Sequence, residues 1–235
     1  MTTRSGRESH SQLVWLSRVF PLDIRKLLLS HPKSKKPTQS VLYAGHVNEE
    51  TRALPVVIQG GMGIAVSSWQ LARAVSQKGQ LGVVSGTAID AVVARRLQAG
   101  DEGGHVRRAL AAFPLPEISK RVQNKYFRPA GRSDAPFIPV PKLSLRPSSD
   151  AMELWVVSNF VEVWLAKEGH DGLVGINYLE KIQMATPSAA YGAMLAGVDY
   201  VLMGAGIPSE IPQLLNQLAK QGEGAINVHV DGATT

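Results

Sequence analysis

Glycine-rich turns and a single amide are the residues of this sequence best suited to binding chemistry. The run QGGMG (59–63) follows one apolar segment, Ser85 and Gly86 follow a second, Asn177 ends a third, and GAG (204–206) follows a fourth. Glycines there let backbone N–H groups approach a flat or anionic ligand, and the next helix N-terminus adds its dipole. The alternative is that each is only a tight turn or a turn cap. Because four such sites follow successive apolar segments, the sequence favours one shared ligand site.

The elements that must position these residues alternate between apolar strands and helices. Short apolar runs predict buried strands, and runs that open at Ser or Pro and close at Gly predict helices. The predicted strands cover residues 56–59, 81–86, 173–178, 200–203 and 225–230, and the predicted helices cover 67–79, 88–100, 105–127, 150–168, 187–197 and 207–222. This alternation is typical of a parallel α/β sheet, whose right-handed crossovers place all strand carboxyl ends on one edge.

Residues 150–168 allow two interpretations. LWVVSNFVEVWL is β-branched and aromatic, as in a strand, but Asp150 and Glu153 have the spacing of a capping box and Gly169 supplies a stop. One less apolar stripe runs along the segment at helical spacing, through Ser158, Glu162 and Ala166. We therefore predict a helix.

Two segments fall outside the alternation. Residues 1–53 form an N-terminal extension, with a helix predicted over 12–29 and a polar linker, HPKSKKPTQS, after it. Residues 128–149 are a proline-rich insertion that is too long for an ordinary connection, so it is either functional or irregular. We therefore divide the chain into the extension and an α/β unit over 54–235 that carries the insertion.

The α/β unit resembles a known enzyme superfamily over roughly residues 54–234. PVVIQGGMG, the strand that ends at Asn177, and VLMGAGIPSEIPQLL together resemble the nitronate monooxygenase (2-nitropropane dioxygenase) superfamily. The runs SGTAIDAVVARRLQAGD, NFVEVWLAKEGHDG and GINYLEKIQMATPSAAYGAMLAGVDYVLMGAGIP look closest to one branch. That branch contains the enoyl reductase of polyunsaturated-fatty-acid and trans-acyltransferase polyketide synthases. The resemblance implies a TIM-type (β/α)8 barrel that holds FMN non-covalently at the carboxyl ends of its strands.

The same resemblance implies which residues would bind the cofactor and the substrate. It places four residues of the first turn along the flavin ring, namely Gly60, Gly61, Met62 and Gly63. Ser85 and Gly86 would line the same face of the ring, and Asn177 would form a hydrogen bond with it. Gly204 and Gly206 would border the substrate pocket. Further candidates for contact with substrate or flavin are Ala205, Lys181 and Gln183.

Two reactions are open to an enzyme of this kind. In the first, an anionic nitronate is oxidised by the flavin, and O2 re-oxidises the cofactor. In the second, NADPH reduces the flavin, which passes hydride to the β-carbon of an enoyl thioester on an acyl carrier protein. Oxidation of nitronates is the leading prediction, and enoyl reduction is the alternative.

The sequence departs from the family in its length. A complete barrel takes about 250 residues, but only five βα units can be counted in 54–235, so we expect a barrel truncated after about five units. The family's catalytic histidine, in an AGGH-like motif after the sixth strand, and its phosphate-binding turns would then lie beyond residue 235. Further alternatives are therefore an inactive fragment, or a chain that works with a partner carrying the missing half.

Three histidines could be mistaken for that catalytic residue. EGGH (102–105) is close to the family motif, but it follows a helix and not a buried strand, so His105 is expected near the start of the next helix. His170 is expected in a loop at a helix end. His229 alternates with Asn227 on the fifth predicted strand, so it could face the interior.

Composition and charge exclude several other classes of protein. The chain has no cysteine, which excludes disulfides, zinc–thiolate sites and iron–sulfur clusters and fits a cytoplasmic location. It has no apolar run of about 18 residues and no secretory signal. The net charge of +6 is uneven: residues 95–146 carry eleven Lys or Arg against four acids, and residues 147–235 three against ten. Basic blocks can bind nucleic acid, but without aromatic interleaving we expect solvated loops and neither nucleic acid nor membrane as a partner.

Overall fold

The computed structural model describes residues 54–132 and 134–228 in full, together with the backbone of residues 10–15 and 229. In chain order the elements are β1 (His10–Trp15), α1 (Trp69–Ser76), β2 (Gly82–Ser85), α2 (Ile89–Gln98), a 3-10 turn (Glu102–Gly104), α3 (His105–Ala112), α4 (Pro116–Tyr126), α5 (Ser149–Lys167), β3 (Val174–Leu179), α6 (Thr186–Leu195), β4 (Tyr200–Gly204), α7 (Ile211–Ala219) and β5 (Gly224–His229). The predicted α/β class is confirmed.

Three parallel strands form the central sheet, in the order β2-β3-β4. Ser85 at the end of β2 lies opposite Asn177 of β3, and Leu179 at the end of β3 lies opposite Gly204 of β4. Parallel sheets are covered on both faces, which is why β2, of sequence GVVS, is buried throughout. The predicted parallel sheet is confirmed for these three strands. Over the described residues the sheet is open and does not close into a barrel.

The strand predicted over 56–59 lies beside β2, but it makes only one isolated parallel bridge. Gln59 N donates to Leu81 O at 3.0 Å, and Leu81 N donates to Val57 O at 3.1 Å. The N–H of Val57 is taken by the side chain of Gln80 at 2.7 Å. Because a side chain competes for the backbone here, the ladder does not extend into a regular strand.

Two predictions for the outer strands are wrong. Residues 12–15 belong to β1 and not to the helix predicted over 12–29, whose remainder lies outside the described residues. β5 does not extend the parallel sheet. It pairs antiparallel with β1, from His10 opposite His229 to Trp15 opposite Gly224. This partner comes from the far end of the chain, and local propensity carries no information about such a pairing.

The helix α5 is the centre of the fold. Its apolar sequence is buried around nearly the whole circumference, and it packs against α1, α2, α3, α6 and the sheet. The prediction of a helix here, and not a strand, is confirmed. Its predicted capping box is wrong, because the N-cap is Ser148, whose Oγ accepts Ala151 N at 3.3 Å. Asp150 and Glu153 instead form ion pairs with basic side chains of α4.

Proline divides the helix predicted over 105–127 into α3 and α4. Pro114 lies in the break and Pro116 occupies the first turn of α4, since proline lacks the N–H of a helix interior but suits its start. The insertion that follows is irregular, yet it is fixed to α2. The buried amide of Gln98 accepts Ile138 N at 2.6 Å and donates to Ile138 O at 3.3 Å.

Candidate functional site

Four of the predicted site residues meet at the carboxyl edge of the sheet. A methyl group on Gly61 would lie 2.7 Å from Cβ of Asn177, so the glycine turn presses directly on β3. A methyl group on Gly204 would lie 3.6 Å from Sδ of Met62 and 3.7 Å from Oδ1 of Asn177. Three segments that are distant in sequence thus bring Gly61, Met62, Asn177 and Gly204 together.

The side-chain oxygen of Asn177 has no hydrogen-bond partner among the described residues. This atom, Oδ1, is buried and accepts no bond, although the backbone carbonyl of Asn177 accepts Gly86 N at 2.9 Å. A buried acceptor without a donor costs about 1–3 kcal/mol. Buried polar atoms are almost always paired, so this oxygen is the point where a bound molecule would find an unsatisfied acceptor.

The glycine turn is held by two residues that sequence reasoning did not assign, Ser67 and Gln59. The buried hydroxyl of Ser67 lies 2.8 Å from the carbonyl oxygen of Gly60 and 2.7 Å from that of Met62. The Gln59 side chain donates to Gly60 O at 2.6 Å and accepts a backbone N–H of β2 at 2.9 Å. The available signals were a polar residue ending an apolar run and a serine before a helix. These bonds fix the turn while Gly60, Met62 and Gly63 stay exposed.

Ser85 and Gly86 face opposite sides of the sheet. Ser85 is buried, pairs with Asn177 across the ladder, and donates its N–H to Ser67 O at 3.0 Å. A side chain on Gly86 would collide with the ring of Tyr178. Asn177 and Tyr178 are neighbours in β3 and therefore point to opposite faces. Gly86 thus opens to the face of Tyr178, away from the Asn177 amide.

The other predicted residues lie around Glu180, after β3 and β4. Gly206 lies directly against the side chain of Glu180. Gln183 Nε2 donates to Glu180 Oε1 at 2.9 Å. Ala205 has a left-handed backbone with φ of 64°, and Lys181 is exposed. The structure brings Gln183 and Gly206 to one carboxylate, whereas Lys181 points to solvent.

A cavity of about 30 Å³ lies beside Gln183 and has room for one water molecule. Glu180 and Glu210 line it together with Met203. Glu210 is held in place because its carboxylate accepts the backbone N–H of Asn227 at 3.0 Å. Two carboxylates make this corner of the edge unfavourable for an anion.

The histidines lie where the sequence places them along the chain. His105 begins α3, and its ring packs on Trp69 with 5.0 Å between centroids. His170 follows α5, and its Nε2 lies 2.7 Å from the carbonyl oxygen of Ala166. His229 ends β5, and its side chain lies outside the described atoms.

Glu162 has a larger part in the fold than its place in a less apolar stripe suggests. It is fully buried; its Oε2 pairs with Arg96 Nη1 at 2.7 Å and its Oε1 accepts Trp69 N at 2.8 Å. Trp69 is the first residue of α1, so the carboxylate also meets the positive end of that helix dipole. Glu162 therefore joins α1, which follows the glycine turn, to α2 and α5.

A second cavity, of about 200 Å³, lies on the helix side of the sheet and was not predicted. The Tyr178 hydroxyl donates to Oδ1 of Asn159 at 3.1 Å, and Asn159 Nδ2 donates to Trp155 O at 2.8 Å. These three residues form its inner wall, and Asp90 of α2 also lines it. In the sequence these residues lie within apolar helices and strands, so no local pattern predicts the cavity.

Burial raises the pKa of two groups in this wall. Desolvation raises the pKa of the Asp90 carboxyl above its ordinary 3.8, against smaller lowering effects of hydrogen bonds from backbone N–H groups and the Trp155 side chain. Desolvation also raises the pKa of Tyr178 well above 10.0. The tyrosine is therefore a neutral hydrogen-bond donor throughout the physiological range.

Metal and membrane sites can be considered over the same part of the chain. Among the described residues there is no group of three or more His, Cys, Asp or Glu that could hold a metal ion. No helix within the described ranges is long and apolar enough to cross a membrane.

Comparisons with protein-family models, curated proteins and solved structures give no match to this chain. Any functional assignment therefore depends on residues and geometry.

Proposed function

We propose that this chain is a flavin-dependent oxidoreductase of the nitronate monooxygenase type that binds FMN at the carboxyl edge of its parallel sheet. The bridge segment at 56–59 and strands β2, β3 and β4 lie side by side in chain order, with helices between the strands. Consecutive units of a (β/α)8 barrel have this arrangement, and such barrels bind ligands at the carboxyl ends of their strands. The finer fold that we propose is therefore part of a barrel of that type.

The observation that carries the proposal is the unpartnered side-chain oxygen of Asn177. It lies where turns from two other segments present only the hydrogens of Gly61 and Gly204. The edge of a flavin ring offers N–H donors and carbonyl acceptors, so a buried amide can hold the ring edge while glycines let its flat face approach. Met62 is half exposed beside them, and its polarisable thioether suits contact with an aromatic ring.

Each residue of the edge would have a defined task. FMN, when bound, supplies the redox chemistry, and the protein supplies placement and electrostatics. The turn at 60–63 offers a rigid surface because Ser67 and Gln59 bind its carbonyl groups. Gln183, held by its hydrogen bond to Glu180, lines the small cavity and is available to contact the substrate. Preorganised groups of this kind bind a ligand without first having to rearrange.

Reduction of an enoyl thioester is the second candidate, and the charge of the edge favours it in one respect. Glu180 and Glu210 line the small cavity beside Gln183, and carboxylates repel an anionic nitronate. An enoyl thioester is neutral and meets no such repulsion. Lys181, which is exposed nearby in sequence, is the cation that could offset the repulsion for a nitronate.

Two assays on the FMN-supplemented chain separate these reactions. Oxygen uptake with propane-2-nitronate supports the first, and NADPH oxidation with a crotonyl thioester supports the second. Asn177→Ala should lower the observed rate at least tenfold, whereas Asn124→Ala, on the exposed surface of α4, should leave it unchanged. Absence of both activities, or equal activity in the two variants, would contradict the proposed function.

A further inference from the structure

The cavity on the helix side of the sheet is separate from the proposed flavin edge. It lies between the carboxyl ends of β2 and β3 and the helices α2, α5 and α6, and its volume is about 200 Å³. Tyr178 lines it, whereas Asn177, the next residue of β3, points to the opposite face. A molecule in this cavity would therefore not touch the Asn177 amide.

The proline-rich insertion forms the roof of the cavity. Val140, Pro141 and Leu143 cover the opening between α2 and α6. Gln98 binds both backbone groups of Ile138 a few residues earlier, which fixes the start of this roof to α2. A segment that is irregular in backbone is thus held in one place by a side chain that is itself 3% exposed.

Two cation–π contacts hold Phe137 in place, one from α2 and one from within the insertion itself. The guanidinium groups of Arg95 and Arg132 lie 5.5 and 4.6 Å from the centroid of the Phe137 ring, within the range of a cation–π contact. The insertion is therefore anchored at Phe137 and Ile138, immediately before the residues that cover the cavity. An anchored cover over a preformed space is what a small-molecule site requires.

The wall contains one charged group, Asp90, without a cationic partner among the described residues. Asp90 is only 7% exposed. Its carboxylate accepts hydrogen bonds from the backbone N–H groups of Asp90 and Ala91 and from the side chain of Trp155, all of which are neutral donors. Buried carboxylates are usually paired with a cation, because hydrogen bonds alone do not replace the lost hydration. The N-terminus of α2 offsets part of the charge, and a cation in the cavity would offset the rest.

Size and lining restrict what such a cation can be. An apolar cavity of about 150 Å³ holds benzene, so 200 Å³ accommodates a six-membered ring with one short substituent. Most of the remaining lining is apolar and includes Ile182, Ala185 and Ala189, from the turn after β3 and the start of α6. Neutral polar side chains complete it, namely Thr87, Thr186, Asn159 and Tyr178. The space therefore suits an apolar body with a single charged end.

We propose that this cavity is a binding site for a small primary amine with an apolar body, whose ammonium group pairs with the carboxylate of Asp90 under the roof formed by the insertion. The site is independent of the flavin edge, and its occupation does not require FMN. The insertion then has a function, which is to close this site.

Benzylamine and benzyl alcohol are matched probes, because they share a ring and differ in the charged group. Binding to the full chain can be followed through the indole N–H resonance of Trp155, which lines the cavity. Benzylamine should bind saturably at neutral pH, at least tenfold more tightly than benzyl alcohol. Asp90→Asn should remove that tenfold preference and leave the two probes equal.

Cavity filling supplies the second arm of the test. Ala91→Leu, on the cavity wall, should abolish binding of both probes, whereas Ala99→Leu, at the exposed end of the same helix, should leave both unchanged. If Ala91→Leu does not fold, Ala189→Leu fills the space from α6. Equal affinity of the two probes for the wild type, binding that survives cavity filling, or no benzylamine binding at all would each overturn the proposal.

Discussion

Asn177 and Asn159 lie on opposite sides of β3, and their amides meet different conditions. Asn159 donates to Trp155 O and accepts the Tyr178 hydroxyl. Asn177 leaves its buried Oδ1 without a donor. A satisfied buried amide stabilises a fold, whereas an unsatisfied one is a cost that a ligand can remove. Under the proposed function, this contrast makes Asn177 a binding residue, whereas the satisfied bonds of Asn159 give it a structural role.

The same substitution at both asparagines separates these roles. Asn159→Ala removes two buried hydrogen bonds and leaves the Tyr178 hydroxyl unpaired, so we expect it to lower the free energy of unfolding by about 2 kcal/mol more than Asn177→Ala. Urea denaturation of the two variants measures the difference. A larger loss for Asn177→Ala would show that its amide has a structural partner.

Asp90 should make stability depend on pH in a direction opposite to that of a salt-bridged acid. Desolvation raises the pKa of Asp90 above 3.8, so the unfolded chain ionises this carboxyl at a lower pH than the folded chain does. The folded state therefore loses relative stability as pH rises from below 3.8 through the raised pKa. The stability of Asp90→Asn relative to wild type should rise over this window and then level off, as measured by urea denaturation at a series of pH values. A flat or falling difference would contradict this assignment.

Residue types at strand ends were enough to predict which residues would lie together at the candidate site. Gly61, Met62, Asn177 and Gly204 converge because parallel strands place their carboxyl ends on one edge. Sequence reasoning missed Ser67 and Gln59, which hold the glycine turn, and Asp90, which lines the larger cavity. Their roles depend on which backbone groups and walls surround them after folding, and that information is not local.

At the scale of elements, α5 organises the molecule through two glutamates with different surroundings. Glu162 is fully buried and joins α1 and α2, whereas Glu153 pairs with Arg121, whose side chain is 56% exposed. A buried carboxylate with two partners fixes the positions of neighbouring helices. An ion pair that reaches solvent contributes little, because water and salt screen it.

Truncating each glutamate tests this difference on a single helix. Glu162→Ala should lower the free energy of unfolding by about 3 kcal/mol, since it removes the partner of Arg96 and the acceptor of the Trp69 N–H. Glu153→Ala should cost about 1 kcal/mol or less. Thermal or urea unfolding gives both values, and equal losses would refute the assigned role of Glu162.

Most helices and the inner strands were predictable, because periodicity and caps are local. The exceptions have identifiable causes. The N-cap is Ser148, two residues before Asp150, and the two acids of the predicted capping box pair with basic side chains of α4 instead. The predicted N-terminal helix and the fifth parallel strand failed together, because β1 and β5 pair with one another across the length of the chain.

At the scale of the whole molecule, apolar side chains lie exposed along the first edge of the sheet. They are Leu54, Val56, Val57, Ile58, Met62, Ile64 and Val66. Among the described residues the segment pairs with β2 on one side only, so within that part of the chain its other side offers both apolar surface and unpaired backbone groups. Exposed apolar edges of this kind promote association between chains.

A charge on this edge should suppress association without affecting the fold. Val56 is 91% exposed and its backbone bond to Gln80 does not involve its side chain, so Val56→Lys should keep the stability of the wild type. Sedimentation velocity over a range of concentrations should show self-association in the wild type and a clear reduction in the variant. Gln70→Lys, on the exposed face of α1, is the control with the same added charge. A wild type that stays monomeric, or an equal effect of both lysines, would contradict the prediction.

The most direct test of the central claim is the visible spectrum of the purified chain titrated with FMN. If the edge formed by Gly61, Asn177 and Gly204 holds the isoalloxazine ring, FMN should bind saturably with a shifted and structured absorption band and quenched flavin fluorescence. Asn177→Ala should weaken that binding at least tenfold, as loss of a buried hydrogen bond predicts. An unchanged flavin spectrum at saturating protein, or binding that Asn177→Ala does not weaken, would contradict the account.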